Sequence, residues 1–283
     1  MDFPTKYGPW ALVIGASEGM GAAFADECAQ RGLKVAIVAR RADALAEVAV
    51  GLRARHGIET REIVGDAADP DFSEKLEAAM AGLEIGLMIF NAGIQPGGPF
   101  LRIRLEDHLK CIQIQCVAPT KVCHWLGRQM ASRGRGGMVL VSSGAAQQGM
   151  AHWTGYAAAK AYETILAEGL WDELRDSGVT VTSYIVSSTY TPNFQRVQEK
   201  HDLPFAKGVD PADFPEGTPL PSLPEVVAAA LFPQLEDGPR LYPTPGDKAG
   251  AEAGARLPRA ELVAAAGAAS KLYFPSGLNE LDA

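Results

Sequence analysis

Short apolar runs alternate with longer stretches of helical periodicity along most of the chain. The apolar runs predict strands over 10–14, 34–39, 60–64, 87–90, 138–141 and 179–186, with a fainter seventh over 239–242. Between them, apolar positions recur at three- and four-residue spacing and predict helices near 19–32, 42–56, 71–81, 105–131, 153–176, 224–236 and 258–273. Strands this continuously apolar are buried on both faces. The sheet is therefore expected to be parallel, with helices on each side. Strand, helix, strand in regular alternation is the pattern of an α/β, doubly wound parallel sheet of about seven strands. No internal repeat or linker divides the chain, so 1–283 reads as a single domain, with 250–283 as a C-terminal helical extension. The segment 189–224 breaks the pattern. It carries seven prolines, with Phe194, Phe205 and Phe214 among polar residues, and predicts a lid or binding loop.

Composition narrows the class without fixing it. A 283-residue chain that is 47% hydrophobic and 21% charged is an ordinary globule with a sizeable core. The net charge of −8 argues against nucleic-acid or membrane partners. The N-terminus has neither the basic start nor the apolar core of a signal peptide, and no apolar run is long enough to span a bilayer. A cytoplasmic protein is expected. Cys28, Cys111, Cys116 and Cys123 form no Cys-x-x-Cys pair and are expected to be buried free thiols, and the scattered histidines predict no metal site.

The chemistry starts with Tyr156 and Lys160. Four residues apart on a predicted helix, they share one face. An ammonium near a phenol favours the phenolate, which makes a weak acid usable for carbonyl and alcohol chemistry. Ser143 lies thirteen residues upstream at a strand end, where it can hydrogen-bond a substrate oxygen as charge develops. A second signal follows the first strand. Gly15-Ala16-Ser17-Glu18-Gly19-Met20-Gly21 leads into a helix, and glycines there let the backbone approach a pyrophosphate at the helix N-terminus. The second strand ends in Ala39-Arg40-Arg41. Two guanidinium groups with no acid suit a ribose 2′-phosphate, which predicts NADP (NADPH) over NAD. Asp66, past the third strand, suits either an adenine amino group or the cap of the next turn.

With these motifs in place, the chain resembles the short-chain dehydrogenase/reductase family. The glycine turn, Asn91-Ala92-Gly93 after the fourth strand, Val141-Ser142-Ser143 after the fifth and Tyr156-x-x-x-Lys160 match that family's motifs in order over 10–192. The likeness continues more faintly to Pro243 and fades beyond it. The resemblance implies a Rossmann-type fold and an NADP(H)-dependent oxidoreductase that interconverts a ketone and a secondary alcohol. It implies Tyr156 as general acid and base, Lys160 as its cationic neighbour and holder of the nicotinamide ribose, and Ser143 as the residue positioning the carbonyl. Gly15, Ser17, Glu18, Gly19, Met20, Gly21, Arg40, Arg41, Asp66, Ala67, Asn91, Ala92, Gly93, Ser188 and Thr191 would line the cofactor. Gln95, Ser143, Ala145, Trp153, Tyr190 and Phe194 would face a substrate expected to be bulky and apolar. The helices 105–131 and 153–176 would pair subunits into a homodimer or homotetramer.

Two positions depart from the family pattern. Gln115 stands where an asparagine supports a water-linked proton path, and Ser187-Ser188 replace a Pro-Gly beside the nicotinamide. These departures leave two alternatives open: a nucleotide-binding sensor or structural subunit, and an epimerase or dehydratase on the same fold.

Overall fold

Each strand forms where an apolar run meets a glycine or polar turn. In the computed structural model, which describes residues 2–200, 207, 208, 210, 213 and 220–273, these runs become β1 (Trp10–Ile14), β2 (Lys34–Ala39), β3 (Thr60–Val64), β4 (Ile85–Phe90), β5 (Gly136–Ser143), β6 (Val179–Val186) and β7 (Arg240–Leu241). They pair in the order β3-β2-β1-β4-β5-β6-β7, every neighbour parallel. The order reverses between β1 and β4. A crevice opens at the carboxyl ends of the strands where such a sheet switches direction, and ligands of doubly wound sheets bind there.

Helices cover both faces. Preceding β1 is α1 (Phe3–Tyr7); then come α2 (Gly19–Gln30), α3 (Ala42–His56), α4 (Phe72–Ala79), α5 (Leu105–Ile112), α6 (Ala118–Arg133), α7 (Thr154–Leu174), α8 (Pro192–Lys200), α9 (Pro224–Leu231), α10 (Pro245–Ala255) and α11 (Arg259–Tyr273). One core layer packs α2, α3 and α9 against Ala11, Val13, Ile37 and Val139, and the opposite layer packs α4, α6 and α7 against Leu12, Met88, Leu140 and Val181. Burial of β1, β4 and β5 on both sides accounts for their continuous apolar sequences. β3 is the exception. It is an edge strand with a largely exposed pattern, so its Arg61 and Glu62 face water and the expected two-sided burial does not extend to it.

The stretch expected as one helix over 105–131 is interrupted. Gln113–Val117 form a π-helical turn, and the Ala118 N–H reaches back five residues to the Gln113 carbonyl. Pro119 explains the interruption. It has no N–H for the Gln115 carbonyl, and its ring crowds that carbonyl in a regular helix. The proline-rich segment is also not loop throughout: α8 begins at Pro192, with Thr191 Oγ1 accepting from Phe194 N at 3.1 Å. A proline at the first helical position behind a threonine cap is a normal helix start. The same Thr-Pro start opens α10, where Thr244 Oγ1 accepts from Asp247 N at 3.1 Å.

Candidate active site

The glycine turn between β1 and α2 is shaped by what cannot fit beside it. A Cβ on Gly21 would stand 1.9 Å from the Gly15 carbonyl oxygen, and one on Gly15 would stand 2.7 Å from Ala92 N. Gly15 and Gly19 also sit at φ +88° and +55°, conformations that favour glycine. The turn thus lies against the Asn91-Ala92-Gly93 segment. Asn91 N donates to Ile14 O at 2.9 Å, and its Nδ2 donates to Gly15 O at 3.1 Å. Asn91 Oδ1 is buried with no partner within the protein. A tight glycine cradle at a helix N-terminus with a buried acceptor beside it fits a dinucleotide phosphate and its sugar. Gly15, Ser17, Glu18, Gly19, Met20, Gly21, Asn91, Ala92 and Gly93 would hold it.

The arginines stand at the rim of this cradle, but not free of acid. Arg41 Nη2 lies 2.6 Å from Glu18 Oε2 and 3.3 Å from Ser17 Oγ, and Arg40 Nη1 lies 3.9 Å from Asp66 Oδ2. Arg196 on α8 also reaches Glu18, with Nη1 at 3.2 Å from Oε2. Arg196, then Arg41, hold the Glu18 carboxyl below the usual carboxylate range. The expectation of two guanidinium groups without an acid is therefore corrected: Glu18, distant from them in sequence, folds back between Arg41 and Arg196. Asp66 behaves as a cap, with Oδ1 accepting from Ala68 N at 3.0 Å, and Ala67 is buried behind it.

The second group gathers at the ends of β4 and β5. Ser143 closes β5, and its Oγ accepts from Ala145 N at 3.2 Å. Ser142 next to it is buried, donates to Lys160 O at 2.8 Å and accepts from Thr164 at 2.8 Å, so it is bound up in the α7 packing. Tyr156 sits in the first turn of α7, with Trp153 edge-on at 6.4 Å between ring centroids. Lys160 lies one turn on, with Nζ 6.0 Å from the Tyr156 ring centroid, and it is buried. Its ammonium donates to Val141 O at 2.8 Å and to Glu163 Oε2 at 2.9 Å. Gln115 approaches from the π-helical turn. Its Oε1 accepts from Ile94 N at 2.8 Å, and both that oxygen and Lys160 Nζ lie within 3.6 Å of the point where a Gly93 Cβ would stand. The longer amide is thus seated directly behind the Asn91-Ala92-Gly93 segment.

The residues expected to face a substrate are less tightly gathered. Gln95 is exposed and Ala145 is buried. Tyr190 stacks edge-on against Phe194 at 5.9 Å. Thr191 packs on the glycine turn, 3.1 Å from where a Gly19 Cβ would stand, which ties the start of 189–224 to that turn. Ser188 O accepts from Ser222 N at 3.0 Å, and Ser187 donates to Asp247. Phe205 and Phe214 lie outside the described residues. A cavity of about 530 Å³ beside the end of β5 is lined by Gly144, Gln147, Ser187, Tyr242, Asp247 and Arg259, among others. The residues expected to face a substrate, Gln95, Ser143, Ala145, Trp153, Tyr190 and Phe194, do not line this cavity; α10 and α11 supply one side of it. Sequence reasoning missed Glu163 and Arg196. The signal for Glu163 was its spacing, three residues beyond Lys160 on the stripe that also carries Ala157, Ala159, Thr164 and Ala167.

Similarity to known proteins extends over most of the chain. Residues 9–202 match the short chain dehydrogenase family. A 7beta-hydroxysteroid dehydrogenase of Clostridium sardiniense is 29% identical over 240 residues, covering 84% of each chain. One of Collinsella aerofaciens is 33% identical over 196 residues, covering 68% of this chain and 73% of its own. A solved structure concerning 7beta-hydroxysteroid dehydrogenase stereoselectivity superposes with a TM-score of 0.84 at 26% identity, covering 94% of this chain and 99% of the other. The chain belongs to the short-chain dehydrogenase/reductase family. It is a dehydrogenase/reductase of the type that acts on CH–OH and C=O groups.

Proposed function

We propose that this chain is an NADP(H)-dependent oxidoreductase that interconverts a bulky, mainly apolar ketone and the corresponding secondary alcohol. The observation that carries the reading is the buried ammonium of Lys160, one helical turn from Tyr156, at the crevice between the glycine turn and Ser143. When bound, the nicotinamide supplies the hydride in reduction and takes it in oxidation. Tyr156 gives its hydroxyl proton to the carbonyl oxygen in reduction and recovers it in oxidation. Ser143 Oγ hydrogen-bonds the same oxygen and holds the carbonyl in line. Two relatives named as hydroxysteroid dehydrogenases support a rigid, ring-bearing apolar substrate. A panel of bulky apolar ketones and small hydrophilic ones, followed by NADPH oxidation, tests it. Higher kcat/KM for the hydrophilic members would overturn the substrate class.

The cofactor preference rests on charge at the rim. Three guanidinium groups, Arg40, Arg41 and Arg196, face the two carboxylates Glu18 and Asp66. A 2′-phosphate meets an excess of cation there, which a ribose hydroxyl does not exploit. Charge-assisted bonds contribute about 1.5–3 kcal/mol, so NADPH is expected to bind at least ~10-fold tighter than NADH. Titration of both cofactors checks this, and equal or tighter NADH binding refutes it. The segment 189–224 is the proposed lid, anchored by Thr191 at Gly19 and by Arg196 at Glu18.

An exposed apolar face supports assembly. Leu105, Leu109 and Ile112 on α5, with Tyr162 and Ile165 on α7, are all exposed. A closed homodimer or homotetramer would cover them. Light scattering at micromolar protein is expected to give a multiple of 30.0 kDa; a monomer mass contradicts the assembly. No described helix is long and apolar enough to cross a membrane, and the four free thiols suit a reducing cytoplasm.

A further inference from the structure

We propose that Glu163 is a positioning residue of this reaction, acting through Lys160: its carboxylate keeps the buried ammonium charged and fixed behind Tyr156. The proposal rests on the oxidoreductase reading above. Glu163 is fully buried, Lys160 nearly so, and their charged atoms are 2.9 Å apart. The ammonium also donates to one carbonyl dipole, Val141 O at 2.8 Å. A buried ammonium so weakly compensated gives up its proton. Burial does pull Lys160 downward, but the opposing pull of its neighbours, Glu163 foremost and Tyr156 after it, holds it above its ordinary value.

Packing does not require an acid at this position. The same face of α7 presents Ala157, Ala159, Thr164 and Ala167, and an apolar side chain would cost less to bury than a carboxylate. Glu163 Oε1 has no partner within the protein. The acid is therefore under-satisfied as a structural group and is fitted to its role only at the oxygen that meets Lys160.

The titratable groups that bear on Glu163 are Lys160 on α7, Cys116 in the π-helical turn, Cys111 on α5 and Cys123 on α6. Tyr156 bears on Lys160. Burial pushes the Cys111 and Cys116 thiols up to about 11 and that of Cys123 to about 12, so all three are neutral at pH 7. Burial also pushes the Glu163 carboxyl up to about 7, against the pull of Lys160. The carboxylate is thus the half of the pair that first loses its charge as pH falls. An acid-side loss of kcat with a midpoint near pH 7 follows, and Glu163→Gln removes that inflection because it has nothing to titrate.

The test compares wild type, Glu163→Gln and Glu163→Asp, all with NADPH. At pH 8, Glu163→Gln is expected to lose at least ~10-fold in kcat with the ketone KM little changed, and Glu163→Asp to recover most of that loss. A Gln variant that keeps the wild-type profile and rate, however much less stable, overturns the proposal. An independent readout uses protein labelled with ¹³C at the glutamate carboxyl. One resonance, absent from Glu163→Gln, is expected to titrate near pH 7 and to move upward in Lys160→Met. If the wild type reduces no ketone, the functional reading fails, and this titration still decides whether the pair exists. No such resonance, or one indifferent to Lys160→Met, sinks the proposal.

Discussion

Tyr156→Phe is expected to lower turnover at least ~10²-fold while leaving NADPH binding nearly unchanged. The substitution removes one hydroxyl and keeps the ring, so the edge-on contact with Trp153 at 6.4 Å and the start of α7 stay as they are. What is lost is the proton that the carbonyl oxygen needs as its bond order falls. Ser143 does not replace it, because an aliphatic hydroxyl is a far weaker acid than a phenol. Lys160 does not replace it either, because its ammonium is turned to Val141 O and Glu163. Steady-state rates on a competent ketone, with NADPH binding followed by fluorescence, check the expectation. A Phe variant that turns over at the wild-type rate would remove Tyr156 from the chemistry.

The strands were legible because burial on both faces writes an unbroken apolar run. β1, β2 and β6 occupy the spans those runs predict. The glycine turn and the Tyr156–Lys160 pair were legible for another reason: each depends on local spacing along one element. The parts that escaped depend on contacts between distant segments. Glu18 meets Arg196 across 178 residues, and no local pattern announces that bond. β3 has a plausible strand sequence, and only its place at the sheet edge leaves Arg61 and Glu62 in water. Other misses had a signal that went unread. Pro119 foretells the broken turn at Gln113–Val117, and the Thr-Pro pairs at 191–192 and 244–245 are ordinary helix starts inside segments rich in loop residues.

Lys160→Met is expected to destabilise the fold by about 3–5 kcal/mol at pH 8, because it leaves a buried carboxylate without its cation. The pH dependence separates this from a loss of packing. The Glu163 carboxyl is raised in the folded protein from an ordinary 4.5 to about 7. Between those values the folded state holds a proton that the unfolded chain has released. That term therefore stabilises fully below pH 4.5 and is lost as pH rises through 7. Removing Lys160 takes away the one attraction that lowers the carboxyl, so the folded value climbs further and the loss continues above pH 7. The Met variant should then stand closer to wild type at pH 6 than at pH 8.5, as read from urea midpoints. Replacing both partners, Lys160→Met with Glu163→Leu, is expected to restore much of the stability, since no buried charge remains. The double variant is expected to recover no turnover, because the charge behind Tyr156 is gone as well. A single Met variant as stable as wild type at pH 8.5 would mean that Glu163 and Lys160 are not the coupled buried pair on which this part of the mechanism depends.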